Sequence, residues 1–178
     1  MTVRAFVGLG ANLGDRSSTI DRAIALLAAC DGIQVVAVSS LYETAPIGPP
    51  QPHYLNAAVE IQTSHTPRAL LSALLAIEHE LGRVRNPLLR NTPRTIDLDI
   101  LLFGSLRVRE QDLEIPHPRL VERPFVLRPL LELDSTLTHP HTGELLVFLP
   151  CAKRENDGVV MWRTRTTHLT SRQRLDLS

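Results

Sequence analysis

Two aspartates separated by one residue stand at the start of an apolar run. Asp97 and Asp99 precede the segment 100–103, which is hydrophobic throughout. In a β-strand, residues two apart share a face and lie about 7 Å apart, because the rise is about 3.3 Å per residue. Carboxylates held that close repel each other unless a cation lies beside them. The alternative is the solvent face of an edge strand, but burial of the following residues on both faces favours a Mg²⁺ or phosphate site.

An arginine-rich segment directly precedes the aspartates. Its members are Arg83, Arg85, Arg90 and Arg94, with no acidic residue between them. Guanidinium groups bind phosphate oxygens through paired hydrogen bonds, which suits a polyphosphate. A solvated loop or a contact with an RNA backbone would use the same residues, so the segment alone leaves these alternatives open. Beside a pair of acids suited to Mg²⁺, it favours a nucleoside triphosphate site.

Tyr54 and Asn56 lie on the polar face of a segment with clear two-residue alternation. The residues between and after them, 55–61 in steps of two, are apolar and predict the opposite, core-facing side of a strand. One interpretation is a half-exposed sheet with incidental polar residues. The functional alternative is a flat heteroaromatic ligand stacked on Tyr54, with the Asn56 amide binding its polar edge.

Three other features have ordinary explanations when they are taken alone. The glycines at 8, 10 and 14 lack the remaining residues of a dinucleotide or P-loop motif, so they predict a tight turn into the first helix. His117 lies in a Pro-flanked loop. Glu78 stands beside the apolar stripe of a predicted helix, where a surface ion pair is the simplest expectation.

Hydrophobic periodicity predicts the elements that position these residues. Strands are expected at 3–9, 33–42, 54–63 and 95–103, and helices at about 20–27 and 66–81. This β-α-β-β-α-β order predicts an α+β fold with a ferredoxin-like core, in which both helices pack on one face of an antiparallel sheet. Short C-terminal strands and helices are expected near 106–108, 113–115, 125–133 and 143–149.

The last part of the chain differs in composition from the rest. Residues 1–150 are expected to form the catalytic domain, and 151–178 a C-terminal extension that is partly disordered. Basic residues outnumber acidic ones there, and apolar periodicity fades after Trp162. The alternative is that 159–162 docks as an additional edge strand.

Composition excludes several classes of protein. The 178 residues carry no formal net charge, which argues against a protein that coats nucleic acid. Two cysteines without paired spacing argue against a disulfide framework or zinc site and favour a cytoplasmic location. No signal peptide or membrane-spanning segment is expected, because no apolar run is long enough.

Taken together, the motifs resemble the 6-hydroxymethyl-7,8-dihydropterin pyrophosphokinases of folate biosynthesis. The resemblance covers about residues 2–150. It rests on the segments GLGANLGDR (8–16), SSLYETAPIG (39–48), QPHYLNAAVE (51–60), IEHELGRVR (77–85), PRTIDLDILLFG (93–104) and IPHPRLVERPFVLRPLLEL (115–133). It implies an ATP- and Mg²⁺-dependent enzyme that transfers pyrophosphate to the pterin hydroxymethyl group and releases AMP. It also implies a monomer that binds neither nucleic acid nor membranes.

The resemblance also assigns roles to residues. Asp97 and Asp99 would bind two Mg²⁺ ions and, with Arg83 and Arg94, form the catalytic set. The implied ATP-binding residues are Glu78, Arg83, Arg85, Arg90, Arg94, Ile100, His117 and Arg123. The implied pterin-binding residues are Thr44, Ala45, Ile47, Tyr54, Asn56 and Phe125. Either aspartate would serve to accept the hydroxyl proton, and the sequence does not distinguish between them.

The arginine segment departs from the family pattern at one position. Many members have Arg-Trp-Gly-Pro-Arg where this chain has RNTPR at 90–94, so Asn91 replaces an indole. The loop carrying Arg85 and Arg90 is expected to act as a lid that excludes water and prevents hydrolysis.

Three alternatives to an active pyrophosphokinase stay open at this point. One is an inactive homologue that serves as a scaffold and binds ATP without turnover. An RNA-binding domain would use the arginines for the phosphate backbone, although its sheet would usually display exposed aromatic residues, and only 4% of this chain is aromatic. A different Mg²⁺-dependent phosphoryl transferase would release ADP or free phosphate in place of AMP.

Overall fold

The computed structural model of the chain describes residues 1–46, 48–84, 92–153 and 157–165. Its strands are β1 (Val3–Ala11), β2 (Ile33–Val38), β3 (Leu41–Thr44), β4 (Tyr54–Thr63), β5 (Asp97–Phe103), β6 (Val108–Glu110), β7 (Leu113–Ile115) and β8 (Val160–Arg163). Its helices are α1 (Arg16–Ala29), α2 (Pro67–Glu80) and α3 (Pro124–Leu133), with one 3₁₀ turn at Leu146–Phe148. The α+β class expected from the periodicity is confirmed.

The main sheet is antiparallel, with β1 and β4 at its centre. The strands follow one another in the order β5-β1-β4-β3-β8, and β2 pairs with the same side of β4 as β3 does. The single strand expected at 33–42 is therefore two strands. The break lies at Ser39, whose hydroxyl accepts a hydrogen bond from the Ala58 N–H at 2.9 Å and so takes the place of a backbone acceptor.

The first core layer lies between the sheet and the helices α1 and α2. Apolar side chains at helical spacing fill it, including Ile20 and Leu27 from α1 and Leu70 and Leu74 from α2. Both helices begin at side-chain caps. Asp15 accepts from the Ser18 N–H at 3.0 Å, and Thr66 accepts from the Ala69 N–H at 3.2 Å. This layer covers the face of the sheet opposite to the side chains of Tyr54 and Asn56.

The opposite face of the sheet is also covered, which corrects the expectation of helices on one face only. Helix α3 packs there through Leu127 and Leu130 against Phe6, Ala58 and Leu101. These contacts join residues far apart in the sequence, so periodicity within each segment does not reveal them. Because α3 covers only part of this face, a pocket remains beside it.

A β-bulge divides β5 into two halves. Its pairing with β1 shifts between Phe6 and Val7, so Leu101 and Leu102 both face the α3 side. Strict two-residue alternation would place Leu102 on the same face as Ile100, and Phe103 on the opposite face. The bulge reverses both positions, so Ile100 and Phe103 share the α1/α2 layer. The apolar residues of β5 therefore pack into both core layers, while Asp97 and Asp99 line the pocket.

Strand β8 extends the sheet at the edge formed by β3. Met161 lies opposite Tyr42, and Val160 lies opposite Glu43. The docked strand is thus the alternative that the sequence left open for 159–162. Residues after 165 lie outside the described part of the chain. None of the described helices has the length and apolar character needed to cross a membrane.

Candidate active site

The pocket beside α3 is built on the ends of strands β5, β4 and β3. From β5 it receives Asp97 and Asp99, from β4 Tyr54 and Asn56, and from the end of β3 Thr44. The strand order places β1 between the aspartates and the Tyr54–Asn56 pair. One wall of the pocket is therefore acidic and the other carries an aromatic ring and an amide.

Glycine residues form the floor between these walls. Gly10 lies opposite both Asn56 and Asp97, and Gly8 lies opposite Asp99. Both glycines belong to β1, so the expectation that Gly10 begins a turn is wrong. A side chain at Gly10 would begin 3.5 Å from the Asn56 amide oxygen. The missing side chains leave an open groove that joins the two walls.

The carboxylate of Asp97 is held by two arginines. Arg83 donates to Oδ1, and Arg94 donates to Oδ2 at 2.7 Å. Each oxygen thus has its own guanidinium, and the negative charge of Asp97 is compensated inside the pocket. Arg94 stands three residues before Asp97, so the Arg-x-x-Asp spacing of the sequence forms this ion pair directly.

Glu78 lies below the aspartates and is buried. Its side chain accepts from the Leu98 N–H at 2.8 Å and also pairs with Arg83. The expectation of a surface ion pair is therefore wrong. Because Glu78 follows Leu74 by one helical turn, it lies on the buried stripe of α2, and that spacing was the available sequence signal. Arg83 joins Glu78 and Asp97 in one network.

Asp99 has a different environment from Asp97. Removal from bulk solvent by the pocket walls, together with the negative charges of Asp97 and Glu78, raises the pKa of Asp99 to about 7. Its side chain remains 46% accessible through the mouth of the pocket, so water screens part of this effect. A carboxylate under such repulsion, yet open to the pocket, is a suitable ligand for a cation.

His117 faces Asp99 across the pocket, with Nε2 3.9 Å from Oδ2. Burial and the nearby positive charges of Arg123 and Arg119 lower its pKa to about 4, so the ring is neutral at pH 7. Its Nδ1 accepts from the Arg119 N–H at 3.1 Å, which places the proton on Nε2. The neutral imidazole therefore presents an N–H donor to the pocket.

Arg94 is positioned by a residue that sequence reasoning missed. Asn12 accepts from the Arg94 N–H at 2.8 Å, and its own N–H donates to the Arg94 carbonyl at 3.2 Å. The Asn12 amide also donates to Gln51 at 2.9 Å and to the Pro52 carbonyl at 3.1 Å. Asn12 follows β1 directly, and no local pattern distinguishes it from an ordinary turn residue. It joins the segments that precede β4 and β5.

The second wall is arranged around the Asn56 amide. Its NH₂ donates to Thr44 Oγ1 at 2.9 Å and to the Tyr42 carbonyl at 3.4 Å. These bonds fix the amide so that its oxygen lies toward the Gly10 floor. Tyr54 stands beside it, and burial raises the pKa of its phenol. This wall offers one fixed acceptor next to an aromatic ring.

Helix α3 closes the pocket from above with its first residues. Phe125 and Val126 line the pocket, and the Arg123 guanidinium lies 5.5 Å from the centre of the Phe125 ring. Burial and the charge of Arg119 lower the pKa of Arg123, although it stays protonated at neutral pH. A second aromatic ring and a further cation thus face the same groove.

Most of the residues singled out from the sequence come together here, and a few do not. The pocket is lined by Thr44, Ala45, Tyr54, Asn56, Arg94, Asp97, Asp99, His117, Arg123 and Phe125. Ile100 lies instead in the core layer under α1 and α2. Ile47, Arg85 and Arg90 lie outside the described residues. Within the described ranges, no group of three or more His, Cys, Asp or Glu residues is arranged to hold a metal.

This arrangement suits the transfer of a charged group between two ligands. The acidic wall and its surrounding cations fit a phosphate chain with its metal ion. The opposite wall, with two aromatic rings and a fixed amide, fits a flat heterocycle. The glycine floor allows both ligands to meet without an intervening side chain.

Comparison with known sequences gives a consistent result. Residues 6–135 match the family described as 7,8-dihydro-6-hydroxymethylpterin-pyrophosphokinase. A 2-amino-4-hydroxy-6-hydroxymethyldihydropteridine pyrophosphokinase of Bacillus subtilis is 42% identical over 163 residues, which cover 91% of this chain and 92% of the relative. The protein of the same name from Methylorubrum extorquens is 47% identical over 135 residues, 75% of this chain and 84% of the relative.

Solved structures with a similar fold include bifunctional proteins. Plasmodium falciparum HPPK-DHPS, crystallised with pterin and p-hydroxybenzoate, matches with a TM-score of 0.65 and 15% identity over 84% of this chain. Another HPPK-DHPS structure, in complex with substrates, matches with a TM-score of 0.64 and 14% identity over 82% of this chain. The chain spans about two fifths of the length of these proteins (41% and 42%). At such low identity the similarity concerns the fold.

Proposed function

The chain belongs to the 7,8-dihydro-6-hydroxymethylpterin-pyrophosphokinase family, and from this premise we propose that the pocket beside α3 is its active site. The enzyme transfers pyrophosphate from ATP to the hydroxymethyl group of 6-hydroxymethyl-7,8-dihydropterin in folate synthesis. The products are AMP and the pterin diphosphate. The observation that carries the assignment is the meeting of the Asp97–Asp99 pair and the Tyr54–Asn56 pair in one groove.

The pterin would lie against the second wall. Its flat ring stacks between Tyr54 and Phe125, and the Asn56 oxygen accepts a hydrogen bond from a ring N–H. Support for this orientation comes from the Asn56 NH₂, which is already used by Thr44 and Tyr42. Thr44, Ala45 and Ile47 would form the remaining edge of this subsite.

Two Mg²⁺ ions would bind at Asp97 and Asp99. The repulsion that raises the pKa of Asp99 supports this fit, because a cation between the carboxylates relieves it. Two protein carboxylates suffice, since Mg²⁺ usually fills the rest of its octahedron with water and substrate phosphates. When bound, the metal neutralises phosphate charge and orients the phosphate chain.

The triphosphate would be held by the cations around the aspartates. Arg94 and Arg123 supply charged donors, and neutral His117 supplies Nε2–H without adding charge. Arg83 has N–H groups beyond those that bind Glu78 and Asp97, and these would reach a phosphate oxygen. The ATP contacts assigned to Glu78, Ile100, Arg85 and Arg90 likewise remain proposals, as does the lid formed by the last two.

The chemistry of this transfer depends mainly on positioning. Attack of a hydroxyl on a phosphate chain requires in-line placement and charge neutralisation more than covalent participation by the protein. The glycine floor supports such placement, because it leaves a clear path between the pterin wall and the aspartates. Exclusion of water from the groove would prevent hydrolysis of ATP.

Several broader features of the account are also proposals. The sheet order β5-β1-β4-β3, with α1 and α2 on one face, supports a ferredoxin-like core in which β2 and β3 together serve as one strand. We further propose that the enzyme acts as a monomer in the cytoplasm, and that 1–150 forms the catalytic domain with 151–178 as its extension.

Separation of the nucleotide products tests the proposed function. The purified protein is incubated with ATP, Mg²⁺ and 6-hydroxymethyl-7,8-dihydropterin, and the nucleotides are resolved by chromatography. AMP is expected to appear one-for-one with pterin diphosphate. ADP or inorganic phosphate as the main product would contradict pyrophosphoryl transfer. Loss of turnover in Asp97→Asn and Asp99→Asn, with folding retained, is expected if this pocket is the site.

A further inference from the structure

A carboxylate outside the pocket joins two elements that form its pterin wall. Glu132 lies near the end of α3, and its carboxylate accepts hydrogen bonds from Tyr42 of β3 and from Ser40, which precedes that strand. Ser40 N–H donates to both oxygens, at 3.1 and 3.0 Å, and Ser40 Oγ donates at 2.8 Å. Tyr42 OH donates at 2.8 Å. No step of the proposed reaction uses this cluster.

The break between β2 and β3 explains why the carboxylate is needed. Ser40 lies in that break and is completely buried, so its backbone N–H must find an acceptor away from the strand ladder. Glu132 supplies it. The Ser40 N–H and the Ser40 and Tyr42 hydroxyls all donate to the carboxylate, whereas an amide in its place would offer only one accepting oxygen, and its NH₂ would require a hydroxyl to reverse its bond. The site thus requires a carboxylate by its hydrogen-bonding pattern.

Tyr42 connects the cluster to the pocket. Its side chain is 7% exposed, and its hydroxyl binds Glu132 while its backbone carbonyl accepts from Asn56. Two residues further along β3, Thr44 binds the same Asn56 amide. Displacement of β3 would therefore move both acceptors that orient Asn56.

Helix α3 links Glu132 to the aromatic side of the pocket. Phe125 lies at the beginning of the helix and lines the pocket, while Glu132 lies seven residues later, about 10 Å along the axis. Because Phe125 and Glu132 belong to one continuous helix, which carries Pro129 between them, anchoring the end of that helix to β3 constrains the position of Phe125 relative to Thr44 and Asn56. The carboxylate therefore joins the ring-stacking side of the pocket to its hydrogen-bonding side.

We propose that Glu132 is a positioning residue that sets the width and register of the pterin subsite. It acts through Ser40 and Tyr42 and does not touch the substrate. The inference rests on the proposed function, because it assumes that the pterin ring occupies the slot between β3, β4 and α3. A positioning role predicts that substitution of Glu132 weakens binding of the pterin and leaves the KM for ATP nearly unchanged, whereas a purely structural role predicts no such difference between the substrates.

The test is the substrate dependence of Glu132→Gln and Tyr42→Phe. Glu132→Gln is expected to raise the KM and Kd for the pterin about tenfold, equivalent to about 1.4 kcal/mol, and to leave the KM for ATP within about twofold. Tyr42→Phe removes one of the four bonds and is expected to shift the same constants in the same direction by about threefold. In the double variant the effects are expected to be less than additive.

Asp134→Asn is the matched control. Asp134 is the C-cap residue of the same helix and accepts from Arg4 of β1 at 2.7 Å, so its contact joins the helix end to β1 and not to β3. This variant is expected to lower the melting temperature without changing the KM for the pterin. If Glu132→Gln behaves in the same way, Glu132 is structural and the proposal is overturned.

Two further outcomes have defined meanings. If Glu132→Gln fails to fold, Tyr42→Phe decides alone, and an unchanged pterin Kd in that variant overturns the proposal. If the wild-type protein itself produces no AMP from the two substrates, the proposed function has failed. Calorimetric binding of the pterin to wild type and Tyr42→Phe then measures the positioning role separately.

Discussion

At the scale of single residues, the two aspartates of the site differ in what surrounds them. Asp97 is paired with two arginines, whereas Asp99 faces negative neighbours and has a pKa of about 7. A carboxylate such as Asp99, repelled by its neighbours, is suited to binding a cation. When no cation is bound, its negative charge lowers the stability of the folded protein. The sequence predicted the shared face of the two residues from their spacing. It did not predict their different charge states, because those depend on Glu78 and Arg83 from other elements.

Asp99→Asn is expected to stabilise the protein in the absence of Mg²⁺ and nucleotide. The folded-state pKa of about 7 lies above the ordinary value of 3.8, so ionisation costs the folded state stability as the pH rises through this window. The gain is expected to be complete above pH 7 and to vanish below about pH 4. Allowing for solvent screening, it should be on the order of 1–2 kcal/mol at pH 8, measured by urea unfolding.

Asp97→Asn provides the control for that prediction. Because Asp97 binds Arg83 and Arg94, its neutralisation is expected to lower the free energy of unfolding at pH 8. Both variants should lose turnover. Equal destabilisation by the two substitutions would contradict the assignment of Asp99 as the repelled carboxylate.

At the scale of elements, the site depends on strand β1 and its lack of side chains. Gly8 and Gly10 leave the groove between β4 and β5 open, so β1 serves as the floor of the site. The sequence placed Gly8 in the predicted strand 3–9 but assigned Gly10 to the turn after it, and a strand interior is an unfavourable place for glycine. Close approach of a ligand explains the exception.

Gly10→Val is expected to block the pterin subsite while preserving the fold. A Cβ at this position makes ordinary contacts with Asn56 and Tyr54, at 3.5 and 3.9 Å, and valine is favourable in strands. Its two methyl groups would occupy the floor beneath the ring. Isothermal titration should give a pterin affinity lower by about tenfold or more, with the thermal midpoint little changed. Unchanged pterin affinity would show that the ring does not lie over Gly10.

Other elements show what local patterns can and cannot predict. The two-residue alternation of 54–63 and the helical spacing of 20–27 and 66–81 are local signals, and the structure confirms the strand and both helices. The bulge at Leu101 and the break at Ser39 arise from pairing with distant strands, so the pattern within the segment gave the wrong face for Leu102. The position of α3 on the second face depends on contacts with residues such as Phe6, more than a hundred positions away.

At the scale of the whole molecule, one sheet separates two core layers, and the helices cover one face of the sheet more fully than the other. Helices α1 and α2 cover one face, whereas α3 covers part of the other and leaves the pocket. The proposed catalytic aspartates thus come from the sheet, and the groups proposed to cover the substrate come from α3 and neighbouring loops.

Strand β8 is held to the molecule with few buried apolar side chains. All four of its residues are exposed, including Val160, Met161 and Trp162, so its pairing with β3 buries little apolar surface. We expect β8 to detach before the rest unfolds. Trp162 is the only tryptophan of the chain, and its fluorescence should change at a lower urea concentration than the far-ultraviolet circular dichroism does. Coincident transitions would contradict early detachment.

The measurement that tests the central claim most directly is a crystal structure with Mg²⁺, 6-hydroxymethyl-7,8-dihydropterin and an ATP analogue that cannot transfer pyrophosphate. The account predicts the pterin ring between Tyr54 and Phe125, a ring N–H bound to the Asn56 oxygen, and metal on both Asp97 and Asp99. The hydroxymethyl oxygen should then face the β-phosphorus of the nucleotide. A pterin bound elsewhere, or metal that does not contact Asp99, would contradict the account.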